Sequence, residues 1–103
     1  MAFQVFLTEI AIEDLAGLVR YVARDNPAAA ERLGMALLTK VKLLRDFPQL
    51  GRVVPERGDE RLREIIHRPY RIPYRVHEPE QRVEILRFWH GARGEIQLAG
   101  EAV

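Results

Sequence analysis

From Ile12 to Leu44 apolar residues return every three or four positions, and from Arg52 onward they alternate with polar ones. These are the periods of a helix and of a strand, and each leaves one apolar side that the element cannot hide by itself. A chain whose period changes once must therefore lay helices on one face of a sheet. The change falls at Pro48-Gln49-Leu50-Gly51. The pattern predicts an α+β fold in two layers: an N-terminal strand, then an antiparallel helical hairpin packed on a small antiparallel β-sheet.

The helical half can be read in more detail. Residues 3–7, FQVFL, read as a strand, and Thr8 stands as an N-cap with Glu9 in the first turn. Ile12, Leu15, Val19 and Val22 form the expected inward stripe of the first helix, with Glu13, Arg20 and Arg24 on the wetter side. Asp25-Asn26-Pro27 stops it, because the residue before proline is pushed out of the α region; Asn26 then caps a second helix that Pro27 opens. Ala30, Leu33, Leu37, Val41 and Leu44 give that helix its stripe, over roughly 18 residues before Phe47-Pro48.

In the second half, Arg52-Val53-Val54, RLREIIH, RIPYRVH and RVEILRFWH read as strands. Gly58-Asp59 marks a turn, and EPEQ at 78–81 has hairpin length, so the last two strands should pair antiparallel. Alternation turns Ile72, Tyr74 and Val76 toward the helices and Arg71, Pro73, Arg75 and His77 away from them. Pro73 has no N–H for a ladder and should lie at an edge, a bulge or a locally unpaired position. In the last strand Val83, Ile85, Arg87 and Trp89 share one side and Leu86, Phe88 and His90 the other, so neither side is purely polar and the strand should be interior. The tail GEIQLAGEAV carries no assignable pattern.

At 103 residues the chain is read as a single domain, residues 1–103, with one core. Hydrophobic residues at 48% and charged ones at 30% exclude a disordered chain. There is no cysteine, hence no disulfide and no thiolate metal site, and no run approaches the ~18 apolar residues of a membrane span; a cytoplasmic location is expected. The net charge of +1 conceals a division. Residues 1–51 carry six basic and six acidic groups, whereas residues 52–93 carry ten arginines against seven acids. Five of those arginines, Arg61, Arg63, Arg68, Arg71 and Arg75, fall within fifteen residues whose one acid is Glu64. A planar guanidinium suits carboxylate and phosphate alike.

The chain contains neither serine nor cysteine, which excludes acyl-transfer triads, and His67, His77 and His90 lack the spacing of a zinc site. No glycine-rich phosphate loop is present, and neither a metal nor a cofactor is expected. What remains is an arginine-lined surface with a histidine where the last strand ends. RNA cleavage can run on such a set, since the nucleophile is the substrate's own 2′-hydroxyl and the protein supplies only a base, a cation and an acid. The plainer reading makes each arginine a cross-strand partner of Glu64 or Glu84, His90 a hydrogen-bonding strand end, and Trp89 a core residue.

The order of elements and several motifs together resemble the RelE/ParE superfamily, the toxins of type II toxin–antitoxin modules, and its ParE branch in particular. The resemblance rests on Thr8, Ala11 and Asp14-Leu15, on Pro27-Ala-Ala-Ala-Glu-Arg, on FPQLGRVVPE at 47–56, on LRE at 62–64, on YRIPYRV at 70–76 and on HGAR at 90–93. It runs from about residue 3 to residue 93. It implies a helical hairpin against an antiparallel sheet, a cognate ParD-like antitoxin that wraps the toxin in a hetero-oligomer, and a role in growth inhibition and plasmid stabilization. ParE-like members inhibit DNA gyrase; RelE-like members cut messenger RNA on the ribosome. By position, Glu56 resembles a nuclease base, Arg71 a phosphate clamp and His90 an acid. The chain departs from the nuclease pattern in having no lysine after Lys42, and Gly91 where some relatives carry tyrosine. Gyrase inhibition is therefore the first expectation, with Arg63, Arg75, Arg87 and Arg93, together with apolar positions of the last strands and the tail, as the expected target-binding surface. The alternatives are a ribosome-dependent endonuclease and a non-toxic antitoxin-binding relative.

Overall fold

The computed structural model describes residues 2–99. Both helices begin as their caps dictate. The Thr8 hydroxyl accepts the Ala11 N–H at 3.1 Å and starts α1 (Glu9–Ala23), and the Asn26 side chain accepts the Ala29 N–H at 3.0 Å and starts α2 (Pro27–Lys42). A 3-10 turn at Leu43–Arg45 extends α2 before the chain leaves the helical layer. Strands β1 (Gln4–Leu7), β2 (Arg52–Val53), β3 (Leu62–His67), β4 (Tyr70–His77), β5 (Arg82–Ile85) and β6 (Trp89–His90) form one sheet. Among the described residues no helix is long and apolar enough to cross a membrane.

The hairpin packs on one face of the sheet. Leu37, Val41 and Leu44 are buried there against Ile65, Ile72, Tyr74, Val76, Val83 and Ile85. The stripe of α1 is rotated from expectation: Ala11 is fully buried, with Leu15 and Leu18 packed beside it, while Ile12 is 53% exposed. The methyl group of Ala11 lets α1 sit close to the sheet, and the larger Ile12 is turned to its flank.

The strand order β1-β5-β4-β3-β2 makes β5 interior, as its mixed sides predict. β1, however, runs parallel to β5, with Val5 opposite Val83, so the sheet is mixed where an antiparallel one was expected. Parallel neighbours need a crossover, and the helical hairpin that follows β1 supplies its first part.

The stretch read as one strand, RVEILRFWH, is two. Ile85 pairs with Tyr74 and Trp89 with Arg71, so Leu86, Arg87 and Phe88 lie opposite only Ile72 and Pro73. One extra residue is a β-bulge. Pro73 explains its position: the Pro73 carbonyl accepts the Leu86 N–H at 2.9 Å, which places the missing proline N–H on the side of the bulge. The Phe88 N–H, left over by the bulge, donates to Asp14 of α1 at 3.1 Å. Beyond the bulge the sides exchange. Phe88 joins Val83 and Ile85 in the main core, and Trp89 lies with Leu86 in a second cluster, which corrects the expected grouping of Val83, Ile85, Arg87 and Trp89.

That second cluster, Val54, Leu62, Trp89 and Ile96, is roofed by the tail that had no readable pattern. Trp89 Nε1 donates to the Gly94 carbonyl at 3.0 Å, and Arg57 and Arg87 donate to the carbonyls of Ile96 and Gln97. The roof is thus held by side chains gripping its backbone. Residues 100–103 of the tail lie outside the described residues.

Candidate functional site

Three adjacent strands carry charge on the face away from the helices. Register puts Arg52 of β2 directly opposite Glu64 of β3, and Ile66 opposite Arg71 of β4, so Arg71 lies on the diagonal from Glu64. Arg52 Nε donates to Glu64 at 2.8 Å, and Arg71 Nε donates to the same carboxylate at 2.7 Å. Glu56, from the turn after β2, closes the far side: Arg71 Nη1 and Nη2 reach its two oxygens at 2.9 and 2.8 Å. A last bond from Nη2 to Glu64 measures 3.1 Å. Glu64 is the one buried charged residue among those described, its side chain fully covered.

Four hydrogen bonds engage most of the N–H donors of a guanidinium. Paired in this way, the Arg71 pKa is raised further. The same pairing, above all the hydrogen bonds from Arg71, holds the Glu56 carboxyl down at about 2 against an ordinary 4.5. A carboxylate at that value is a weak base at neutral pH.

His90, at the end of β6, is turned with Tyr70 to the helix side and not to the face that carries Arg71. It pairs with Tyr70 across β4 and β6, and its ring meets the Tyr70 ring edge to face at 5.4 Å. Its Nδ1 accepts the Ala92 N–H at 3.1 Å and so caps a 3-10 turn at Gly91–Arg93. The neutral ring then carries its proton on Nε2. Arg71 and His90 both border a shallow cavity of about 440 Å³, with Arg52, Arg68, Tyr70 and Gly91 also on its walls. Glu56 touches Arg71 but is not among the lining residues. The Gly91 N–H donates to the Pro69 carbonyl at 2.8 Å, and a Cβ at position 91 would lie 3.2 Å from that oxygen. Among the described residues no group of three His, Asp or Glu could hold a metal ion.

The four other arginines singled out from the sequence are spread over the molecule. Arg63, on the helix side of β3, donates to the Gly51 carbonyl at 2.9 Å. Arg75 contacts Asp59 at 3.4 Å. Arg87, at the bulge, makes a two-pronged pair with Asp14, at 2.7 and 3.0 Å, and lies over the Trp89 ring. Arg93 is exposed on one side and stacks on Trp89 at 3.9 Å on the other. Sequence reasoning named Glu64 as a cross-strand partner of the arginines and missed Asp14. Glu64 left a trace, as the single acid in an arginine cluster; Asp14 left none, because it meets Arg87 from 73 residues away.

Comparison with known proteins gives this geometry its context. The family model described as the ParE toxin of the type II toxin–antitoxin system parDE matches residues 5–94. Toxin RelE2 of Caulobacter vibrioides is 34% identical over 91 residues, which cover 87% of this chain and 97% of that protein. A structure of the chromosomal ParDE system from P. aeruginosa superposes with a TM-score of 0.70 at 24% identity, over 86% of this chain and 96% of that one. The RelBE2 toxin–antitoxin complex from Mycobacterium tuberculosis gives 0.62 at 22% identity, over 87% and 99%. With its helical hairpin on a mixed sheet and a family match running from β1 to the turn after β6, the chain belongs to the ParE toxin family of type II toxin–antitoxin systems, within the RelE/ParE superfamily.

Proposed function

We propose that this toxin acts by binding and inhibiting DNA gyrase, and that a ParD-like antitoxin neutralises it in the cytoplasm by forming a hetero-oligomer with it. The observation that carries the reading is the closed network of Glu56, Arg71, Glu64 and Arg52. RNA cleavage through a 2′-hydroxyl needs a base with a pKa near the working pH and a cation whose donors are free for phosphate. Here the base and the cation at the nuclease positions are bound to each other, and Glu56 is held at about 2. His90 alone completes no acid–base pair. The matching family model is described by parDE, and a ParDE system is among the structural neighbours, which supports both the ParE branch and an antitoxin partner.

A supercoiling assay with purified gyrase, run beside a ribosome-programmed mRNA cleavage assay, tests the reading. The expected result is loss of supercoiling with intact message, unchanged by His90→Gln. Cleaved message with normal supercoiling would establish the endonuclease instead. Antitoxin binding with neither effect would make the chain a non-toxic family member.

A further inference from the structure

Six large apolar side chains are exposed among the described residues, and three of them, Leu43 (45%), Phe47 (58%) and Leu50 (52%), fall within eight residues between α2 and β2. Phe47 N–H donates to the Leu43 carbonyl and Leu50 N–H to the Phe47 carbonyl, each at 3.0 Å, so the three are linked by successive tight turns. Loops that expose apolar groups are commonly loose. This one is anchored at both ends of its turn: the Tyr74 hydroxyl donates to the Pro48 carbonyl at 2.9 Å and accepts the Gly51 N–H at 2.8 Å. Gly51 is pressed so closely onto β3 that a Cβ there would lie 2.4 Å from the Glu64 carbonyl oxygen. Gln49 adds a bond to Glu78 at 3.1 Å.

A rigid loop that holds a phenylalanine and two leucines in water is preorganised for contact with another surface. Its border offers exposed Lys42 and Arg45 beside Asp46, while Arg52 is held by Glu64 and Glu78 is engaged by Gln49. The arginines of the sheet offer no such surface, since Arg63, Arg75 and Arg87 already donate within the fold. We propose that the loop from Leu43 to Leu50 is the target-gripping surface of the toxin, and that it fits an apolar recess bordered by acidic side chains on a protein. Nucleic acid fits it poorly, because two leucines offer nothing to phosphate. The proposal rests on the gyrase reading above, which makes gyrase the bearer of that recess.

The test compares the full-length wild type with a Phe47→Ala, Leu50→Ala double variant, each freed from its antitoxin complex. Half-inhibition of gyrase should require roughly tenfold more of the variant or beyond, as expected when apolar anchors are removed. Antitoxin affinity should stay within about twofold, a change of the size seen for residues outside an interface. Arg45→Glu, which removes no apolar packing, should also weaken inhibition, most strongly at low salt. If the double variant fails to fold, Arg45→Glu decides. Inhibition equal to wild type in both variants overturns the proposal while leaving the gyrase reading intact. Lost antitoxin binding with full inhibition overturns it too, and assigns the loop to the antitoxin. A wild type that leaves supercoiling untouched removes the gyrase reading and, with it, this partner.

Discussion

On the inner face of the sheet Ile72, Val76, Val83 and Ile85 meet the helical hairpin with apolar surface alone, whereas on the outer face Glu64, buried like them, lies between Arg52 and Arg71. The two faces bury their residues by different physics. Apolar contact is non-directional, so the inner face depends on volume and tolerates changes of shape. Buried charge is directional, and Glu64 is tolerable only while both guanidinia stay within hydrogen-bond reach. The outer face therefore depends on register, and a small error in strand pairing would leave it with an uncompensated charge.

Paired substitutions sharpen that contrast most. In urea denaturation Glu64→Ala should lower stability by about 3–5 kcal/mol, the scale for breaking a buried ion pair. Leu37→Ala should lower it by about 2–5 kcal/mol, through the cavity it leaves. Near-isosteres then separate the faces: Leu37→Met should cost under about 1.5 kcal/mol, while Glu64→Gln keeps most of the loss because shape is preserved and charge is not. Equal tolerance of both replacements would break the contrast.

Tyr74 joins the two physics, with its ring in the inner core and its hydroxyl on the backbone of the loop before β2. Tyr74→Phe keeps the ring and orphans a buried N–H, so it should cost about 1–3 kcal/mol. Hydrogen exchange at the Gly51 amide should accelerate beyond the global change. Unaltered exchange there would mean that the hydroxyl does not anchor the loop.

The smallest expected effect is one of pH. Because the folded pKa of Glu56 is about 2, below its ordinary 4.5, the stability it contributes is complete above about 4.5 and is lost as the pH falls toward 2. Glu56→Gln should flatten the acid limb of the urea midpoint in that window and leave the neutral region nearly parallel to wild type. An acid limb identical in the two proteins would show that Glu56 is not held by Arg71 in solution.

Much of the fold was legible because it is local. Thr8 and Asn26 cap the helices they precede, Pro27 opens α2, and Leu37, Val41 and Leu44 bury at the spacing that marked them. A cap or a stripe is decided by residues three or four apart, which a single sequence displays directly. The candidate site was legible only as residue types. An arginine cluster with one acid among it is visible in the sequence, and so is the absence of lysine after Lys42.

What only the tertiary structure decided depends on partners far apart in the chain. The parallel pairing of β1 with β5 joins Val5 to Val83, and the bulge at Leu86–Phe88 exists because Pro73 cannot donate on the adjacent strand while Asp14 can accept the N–H it leaves over. That one extra residue turned Trp89 away from the helices and Phe88 toward them. Arg71, Glu56 and Glu64 likewise became a closed network only once register set them side by side. The sequence by itself determined most of the elements and their order, which follow from local sterics and periodicity, and its motifs carried the resemblance to the family. The state of each charged group was set by strand register, because a hydrogen bond needs atoms within about 3 Å and local sequence does not specify distances between strands.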